Sequence, residues 1–216
     1  MSSSSVYGDA RSEARVEEGH VITRPNNAYD LSKWAGDLWA MHLAETRPGV
    51  EAYGLRLGTV CGRSPNMRED VMLNAMAADA LRLGEVRLYL EHTRRPVLGL
   101  SDLCRAVTVL LEQRGDRRGL YNLCSFNGTV REYGAAVARK LGVPVRKMPK
   151  VRTAELMSNV KLQSRQYDFF ISPRKFEQAF GFAFADTLDS VVDEAVQALR
   201  DPAVLRGTRS HARASL

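Results

Sequence analysis

The clearest hydrophobic period in the chain runs through AYDLSKWAGDLWAMHLAET, residues 28–46, where Leu31, Trp34, Leu38 and Met41 recur at spacings of three and four. That period sets them along one stripe of an α-helix. TLDSVVDEAVQALR, residues 187–200, has the same character and predicts a last amphipathic helix. Thr129 and Glu132 stand in the T-x-x-E spacing of a capping box and open a helix to Leu141. Ser101 reads as the N-cap of a helix ending at Glu112, and Ser172-Pro173 as an N-cap followed by proline at the first helical position. Another helix is expected over 69–82. Between these lie strand signals: GVEAYGLRLGTV (49–60), a short run at 86–90, and the apolar GLYNLC (119–124). Strands alternating with helices predict an α/β fold.

The opening, MSSSSVYGDA, reads as the last strand residues and exit turn of a sheet already under way. Residues 9–27 then carry no period and read as a polar loop. No repeat or low-complexity linker divides the rest of the chain.

Composition adds bounds more than content. A chain of 216 residues with 44% hydrophobic and 26% charged residues has enough apolar side chains for a packed core. No apolar run reaches the roughly 20 residues of a membrane span, and no secretory signal pattern is visible, so a cytoplasmic protein is expected. Cys61, Cys104 and Cys124 are widely spaced with no CxxC, which suits reduced thiols. The four histidines show no metal-ligand spacing, and no metal site is expected. The net charge of +6 tolerates an anionic ligand. Its basic residues are scattered instead of striped with aromatics, so nucleic acid is not the expected partner. Part of the excess lies in RGTRSHARASL (206–216), which reads as a basic flexible tail.

One pair carries candidate chemistry. In YDLSK, Tyr29 and Lys33 are four apart, which puts both on one helix face a turn apart. A phenol titrates near pH 10, too high for a proton shuttle at neutrality, and a neighbouring ammonium favours the phenolate. Taken alone, the spacing fits better a half-buried tyrosine beside a solvated lysine. Absence is informative too. The sixteen glycines contain no GxGxxG, and the nearest approach, Gly54, Gly58 and Gly62, lies mid-chain. A dinucleotide pyrophosphate needs such a turn at a helix N-terminus.

The order of signals is more specific than any one of them. SSSSVYG, YDLSK, LRLGTVCG (55–62), RRPVLGLSDLCRAV (94–107) and GLYNLCSFNGTVREYGAAVARKLG (119–142) succeed one another along the chain. This series resembles the extended short-chain dehydrogenase/reductase family of sugar-nucleotide epimerases, dehydratases and reductases, from Ser2 to Leu199. The resemblance covers the second half of that family only. It implies the C-terminal part of a Rossmann-type parallel sheet plus a small α/β substrate-binding domain. Residues 1–62 would be the trailing Rossmann part with the Ser/Tyr/Lys site, and 63–205 mainly the substrate domain interleaved with the last Rossmann elements. At roughly 30 residues per βαβ unit, on the order of 100 residues would precede Met1 in a full-length member. The chain is therefore expected to be a truncated form that binds NAD poorly by itself.

Roles come from the same resemblance. Ser3 matches the serine that hydrogen-bonds the reacting hydroxyl or carbonyl, with a neighbouring serine as the match if the register slips by one. Tyr29 matches the acid/base, and Lys33 the lysine that holds the nicotinamide ribose. Leu57 would line the cofactor site. Thr59, Asn74, Arg95 and Arg165 would contact substrate, Arg95 by gripping a diphosphate with its planar fork. Thr59 replaces the family's usual Asn and Cys61 its usual Tyr, and Pro96 stands where epimerases often carry Asp. Ser4 and Ser5 occupy the positions of the acid pair of the dehydratases, so elimination is not expected; epimerase, reductase and simple dehydrogenase roles stay open, with a 4-epimerase-like role ahead. The implied cofactor is NAD or NADP, the implied substrate a nucleotide-linked sugar, and a homodimer through the Tyr29 helix would fit the family. The alternative is a non-catalytic remnant of the fold that binds a partner or an anionic ligand.

Overall fold

The computed structural model describes residues 1–8, 10, 15–22, 25–113, 115, 117–148 and 167–201. Strand β1 (Ser2–Ser3) runs into a single 3-10 turn over Ser4–Tyr7. Gly8 closes it with φ of 62°, donating its N–H to the Ser5 carbonyl at 3.0 Å. Only glycine adopts such a backbone without a Cβ penalty. Helix α1 (Ala28–Thr46) then crosses over, and β2 (Tyr53–Leu57) returns parallel to β1. Strand β6 (Gly119–Leu123) pairs parallel on the far side of β2, giving the order β1-β2-β6. Ser3, Leu57 and Leu123 share one register row at the carboxyl ends of these strands.

The single strand signal over 49–60 divides in two. After Gly58 the chain leaves the first sheet, and β3 (Thr59–Cys61) pairs parallel with β5 (Arg94–Gly99), itself antiparallel to β7 (Phe126–Thr129). The switch is tight: a Cβ on Gly58 would lie 3.2 Å from the Pro96 carbonyl. Strands β4 (Val86–Leu88) and β8 (Val145–Lys147) form a separate parallel pair. Helices α2 (Met72–Leu83), α3 (Leu100–Glu112), α4 (Val130–Leu141), α5 (Arg174–Phe180) and α6 (Leu188–Arg200) complete the α/β arrangement.

Three apolar clusters hold these layers together. One joins α2, α4 and α6 over β4, with Leu73, Val86, Tyr133, Val137 and Val192 at its centre. Another sets Phe176, Phe180 and Phe182 against Leu55, Tyr121 and Leu123 of the parallel sheet. The last gathers Val6, Tyr7, Val16, Tyr167, Phe169 and Ile171 beneath the first strand's exit turn.

Several helix starts differ from their sequence signals. Helix α3 is capped at Gly99, not Ser101. The Asp186 carboxylate, from across the chain, accepts the Asp102 N–H at 2.9 Å, while Ser101 donates to Glu194 at 3.3 Å. Helix α5 starts one residue late, after Pro173, without a side-chain cap from Ser172. Helix α2 starts at Met72, and the sulfur of Cys61 meets the N–H groups of Leu73 and Asn74. Burial pushes that thiol up to about 12, so Cys61 serves the core and the helix start. The capping boxes at Thr129 and Thr187 are both complete.

Helix α1 has the predicted bounds and an unexpected orientation. Its inward residues are Asp30, Asp37 and Ala44, whereas Leu31 is 51% and Leu38 56% exposed, beside exposed Trp39 and Leu43. The two carboxylates turn inward because their partners are there.

Glu91, in the turn after β4, links two elements: its carboxylate meets Arg131 of α4 at 3.0 Å and Lys147 of β8 at 2.9 Å. The Arg131 and Lys147 hydrogen bonds lower its pKa from 4.5 to about 2. A depressed carboxyl pKa contributes stability above the unfolded value and loses it as pH falls through the folded one. Urea midpoints should therefore fall between pH 4.5 and about 2, and Glu91→Gln should flatten that limb. An unchanged limb in the variant would contradict the assignment.

Candidate active site

The first sheet ends where α1 begins. Asn27 caps α1 with its side-chain oxygen, accepting the Asp30 N–H at 3.0 Å, and so fixes the first turn. That turn presents Tyr29, 56% exposed, with the Lys33 ammonium 5.5 Å from its ring centroid. Lys33 also reaches β1: its Nζ donates to the Met1 carbonyl at 3.4 Å, and Ser2 Oγ approaches the Lys33 carbonyl at 3.5 Å. Ser3, half-buried at the end of β1, accepts the Ser5 N–H at 3.2 Å and lies 2.9 Å from Ser5 Oγ. Its neighbours Ser2 and Ser4 are buried. Leu57 sits beside Ser3 in the parallel register.

A buried polar network supports this corner. Arg56 of β2 donates through Nε to Asp37 at 2.8 Å, with both side chains no more than 3% exposed. Its NH1 donates to the Tyr7 hydroxyl at 3.1 Å and the Glu18 carbonyl at 3.3 Å. Tyr7 in turn donates to Asn122 Oδ1 at 2.7 Å. Burial raises the Tyr7 phenol to about 12 and pushes the Glu18 carboxyl up as well. One guanidinium thus joins α1, the turn after Ser3, and the central strand. Sequence pattern did not single out Arg56, Asp37 or Tyr7, because each finds its partner far along the chain.

The other sequence candidates form a second group. Thr59 is half-buried on β3, in register with Val97 of β5. Arg95 lies two residues before Val97, its guanidinium 5.7 Å over the Tyr167 ring and its carbonyl accepting the Tyr133 hydroxyl at 2.6 Å. Asn74 is buried in the first turn of α2 and donates to the Arg68 carbonyl at 3.0 Å. Its Oδ1 has no hydrogen-bond partner among the described residues. Arg165 and the tail 206–216 lie outside the described residues. Ser3, Tyr29, Lys33 and Leu57 are thus brought together, and Thr59 and Arg95 share the adjoining sheet. Asn74 is turned into the protein.

Tyr29 and Lys33 are the residues that could hold one end of a dinucleotide. An exposed phenol and ammonium at the carboxyl edge of parallel strands suit a nicotinamide ribose. The glycine turn for the pyrophosphate is not in this sequence.

The sequence profile described as "NAD dependent epimerase/dehydratase family" matches residues 1–124. The chain belongs to this family. The match takes in β1, α1, β2 and β6, the elements that carry the Ser3/Tyr29/Lys33 corner. No curated protein matches the sequence. Among solved structures, a UDP-glucose 4-epimerase from Bifidobacterium longum in complex with NAD+ and UDP is similar at TM-score 0.74 and 19% identity, over 94% of this chain. A dTDP-glucose 4,6-dehydratase from Bacillus anthracis in complex with NAD is similar at TM-score 0.72 and 22% identity, over 91%. The chain spans 63% and 59% of those two proteins. At this identity the likeness establishes the fold: the family's Rossmann-type α/β architecture, in part.

Proposed function

We propose that this chain supplies the proton-transfer site and the substrate-binding part of an NAD(P)-dependent epimerase or oxidoreductase acting on a hydroxyl of a nucleotide-linked sugar. The observation that carries the reading is the Tyr29–Lys33 pair, held on the exposed first turn of α1 against the end of β1, where Ser3 stands. Bound NAD(P) would supply the hydride acceptor, nicotinamide C4, for the sugar carbon. Tyr29 would take the proton of the sugar hydroxyl as its carbon is oxidised, and return it on reduction. Lys33 would hold the ribose and stabilise the Tyr29 phenolate. Ser3 accepts the Ser5 N–H, and with Ser5 as donor of the 2.9 Å hydroxyl contact it would keep its own proton to donate to the sugar oxygen.

Arg95 is the proposed grip for the diphosphate, by a charge-assisted bidentate contact. Solved neighbours in complex with UDP-glucuronic acid and with UDP-glucose support that substrate class. Arg95→Ala should weaken UDP-glucose binding by about tenfold or more in calorimetry, the loss of a charged hydrogen bond. Equal affinity in both proteins would remove Arg95 from the reading. With no glycine turn in its sequence, the 216-residue chain by itself should bind NAD far more weakly than UDP-glucose.

A second reading has its own support: the exposed Leu31, Leu38, Trp39 and Leu43 on α1 form an apolar face suited to another protein surface. A second copy, giving a homodimer, is the occupant we propose. Light scattering of the purified chain tests it, and a monomer at micromolar concentration would count against it.

A further inference from the structure

Tyr167 is 2% exposed, and its hydroxyl ends at the N-terminus of α1. It donates to the Asp30 carboxylate and accepts from Asn27 Nδ2 at 2.7 Å. Asn27 Nδ2 also meets Asp30 Oδ2 at 3.0 Å, while its oxygen caps the helix. Asp30 is fully buried, adjoins Tyr29 in sequence, and its Oδ1 has no partner among the described residues. The opposite end of Tyr167 is its ring, over which the Arg95 guanidinium lies at 5.7 Å. One side chain therefore touches the capping turn of the helix that carries Tyr29 and Lys33, and the arginine of the adjoining sheet.

We propose that Tyr167 is a positioning residue that holds the α1 first turn through its hydroxyl and Arg95 through its ring, setting the proton-transfer pair in register with the bound diphosphate. The proposal rests on the proposed roles of Tyr29 and Arg95. Two features suit Tyr167 to this task. Burial, and next the Asp30 hydrogen bond, push its phenol pKa upward, so it remains a donor across the physiological range. Asp30 needs that donor, because a buried carboxylate short of partners is costly. Its hydroxyl acts through α1 and its ring through Arg95, so the two functions separate by mutation.

Tyr167→Phe keeps the ring and removes the hydroxyl, whereas Tyr167→Leu removes both. Amide hydrogen exchange of the 216-residue chain is read at residues 28–34, with α4 and α6 as internal references. UDP-glucose affinity is read by calorimetry and, on the protein as its own cell makes it, kcat and KM with NAD. Tyr167→Phe should speed exchange at 28–34 by about tenfold, the loss of one buried hydrogen bond, with α4 and α6 unchanged. It should lower kcat by a similar factor and leave affinity and KM within about twofold. Tyr167→Leu should weaken UDP-glucose binding in addition. Unchanged exchange at 28–34 overturns the proposal. So does faster exchange throughout the chain, which would mean that Tyr167 only holds the fold. Wild-type protein that neither binds UDP-glucose nor turns over would sink the functional reading instead, and the exchange result would still decide the role of the hydroxyl.

Discussion

Tyr29→Phe is expected to lower turnover of a nucleotide sugar by about 10²–10⁴-fold, the range for loss of a positioned acid/base, without altering the fold. The side chain is more than half exposed, so removing its hydroxyl leaves no buried group unpaired. KM for the sugar nucleotide should change little, because Tyr29 is asked to move a proton and not to bind the diphosphate. Lys33→Met should combine a lower kcat with weaker NAD binding, since both tasks are proposed for Lys33. Steady-state kinetics and thermal unfolding on the same samples separate the cases. A Tyr29→Phe enzyme within threefold or so of wild type would remove Tyr29 from the chemistry, given how much general acid–base catalysis contributes.

The largest stability effect should come from Arg56. Arg56→Met leaves the Asp37 charge buried with neither its guanidinium partner nor water, and breaking such a pair costs about 3–5 kcal/mol. Room for adjustment is small: a Cβ on Gly54 would already lie 2.9 Å from Asp37 Oδ1 and 2.3 Å from Leu120 Cδ2. The Arg56→Met/Asp37→Leu double variant should recover much of the loss, because an apolar pair avoids the desolvation that the ion pair undergoes. Urea unfolding of the two single variants and the double variant gives the coupling directly. A single-variant cost under about 1 kcal/mol, the range of exposed pairs, would mean that water reaches the site. Since Arg56 also bonds Tyr7, the loss should loosen the turn after Ser3.

What the sequence made legible was local. The bounds of α1, both capping-box helices, and the exit turn at Gly8 all depend on residues within four positions of one another. What it concealed depends on partners far away. Asp186 caps α3 from 84 residues on, and the Cys61 sulfur sits at the start of α2 in place of a local side chain. The apolar stripe of α1 predicted the helix correctly, yet only Trp34 of it packs on a buried cluster while Leu31 and Leu38 face outward, because Arg56 and Tyr167 draw Asp37 and Asp30 inside. Strands β5, β7 and β8 carry weak signals: Pro96 interrupts the first, β7 is four residues long, and all three residues of β8 are exposed. At the candidate site, the Tyr29–Lys33 spacing was readable as one helix face. Its supports, Asn27, Asp30 and Tyr167, were not, since an Asn before a helix and an Asp in its first turn are ordinary start signals.

Protein isolated at the length its own cell produces is mixed with NAD and UDP-glucose, and the nicotinamide absorbance is monitored through a single turnover, in wild type and in Tyr29→Phe. Reduction that requires the sugar nucleotide is expected in wild type and is lost in the variant. Equal traces in the two proteins, or no reduction in wild type with UDP-glucose demonstrably bound, would contradict it.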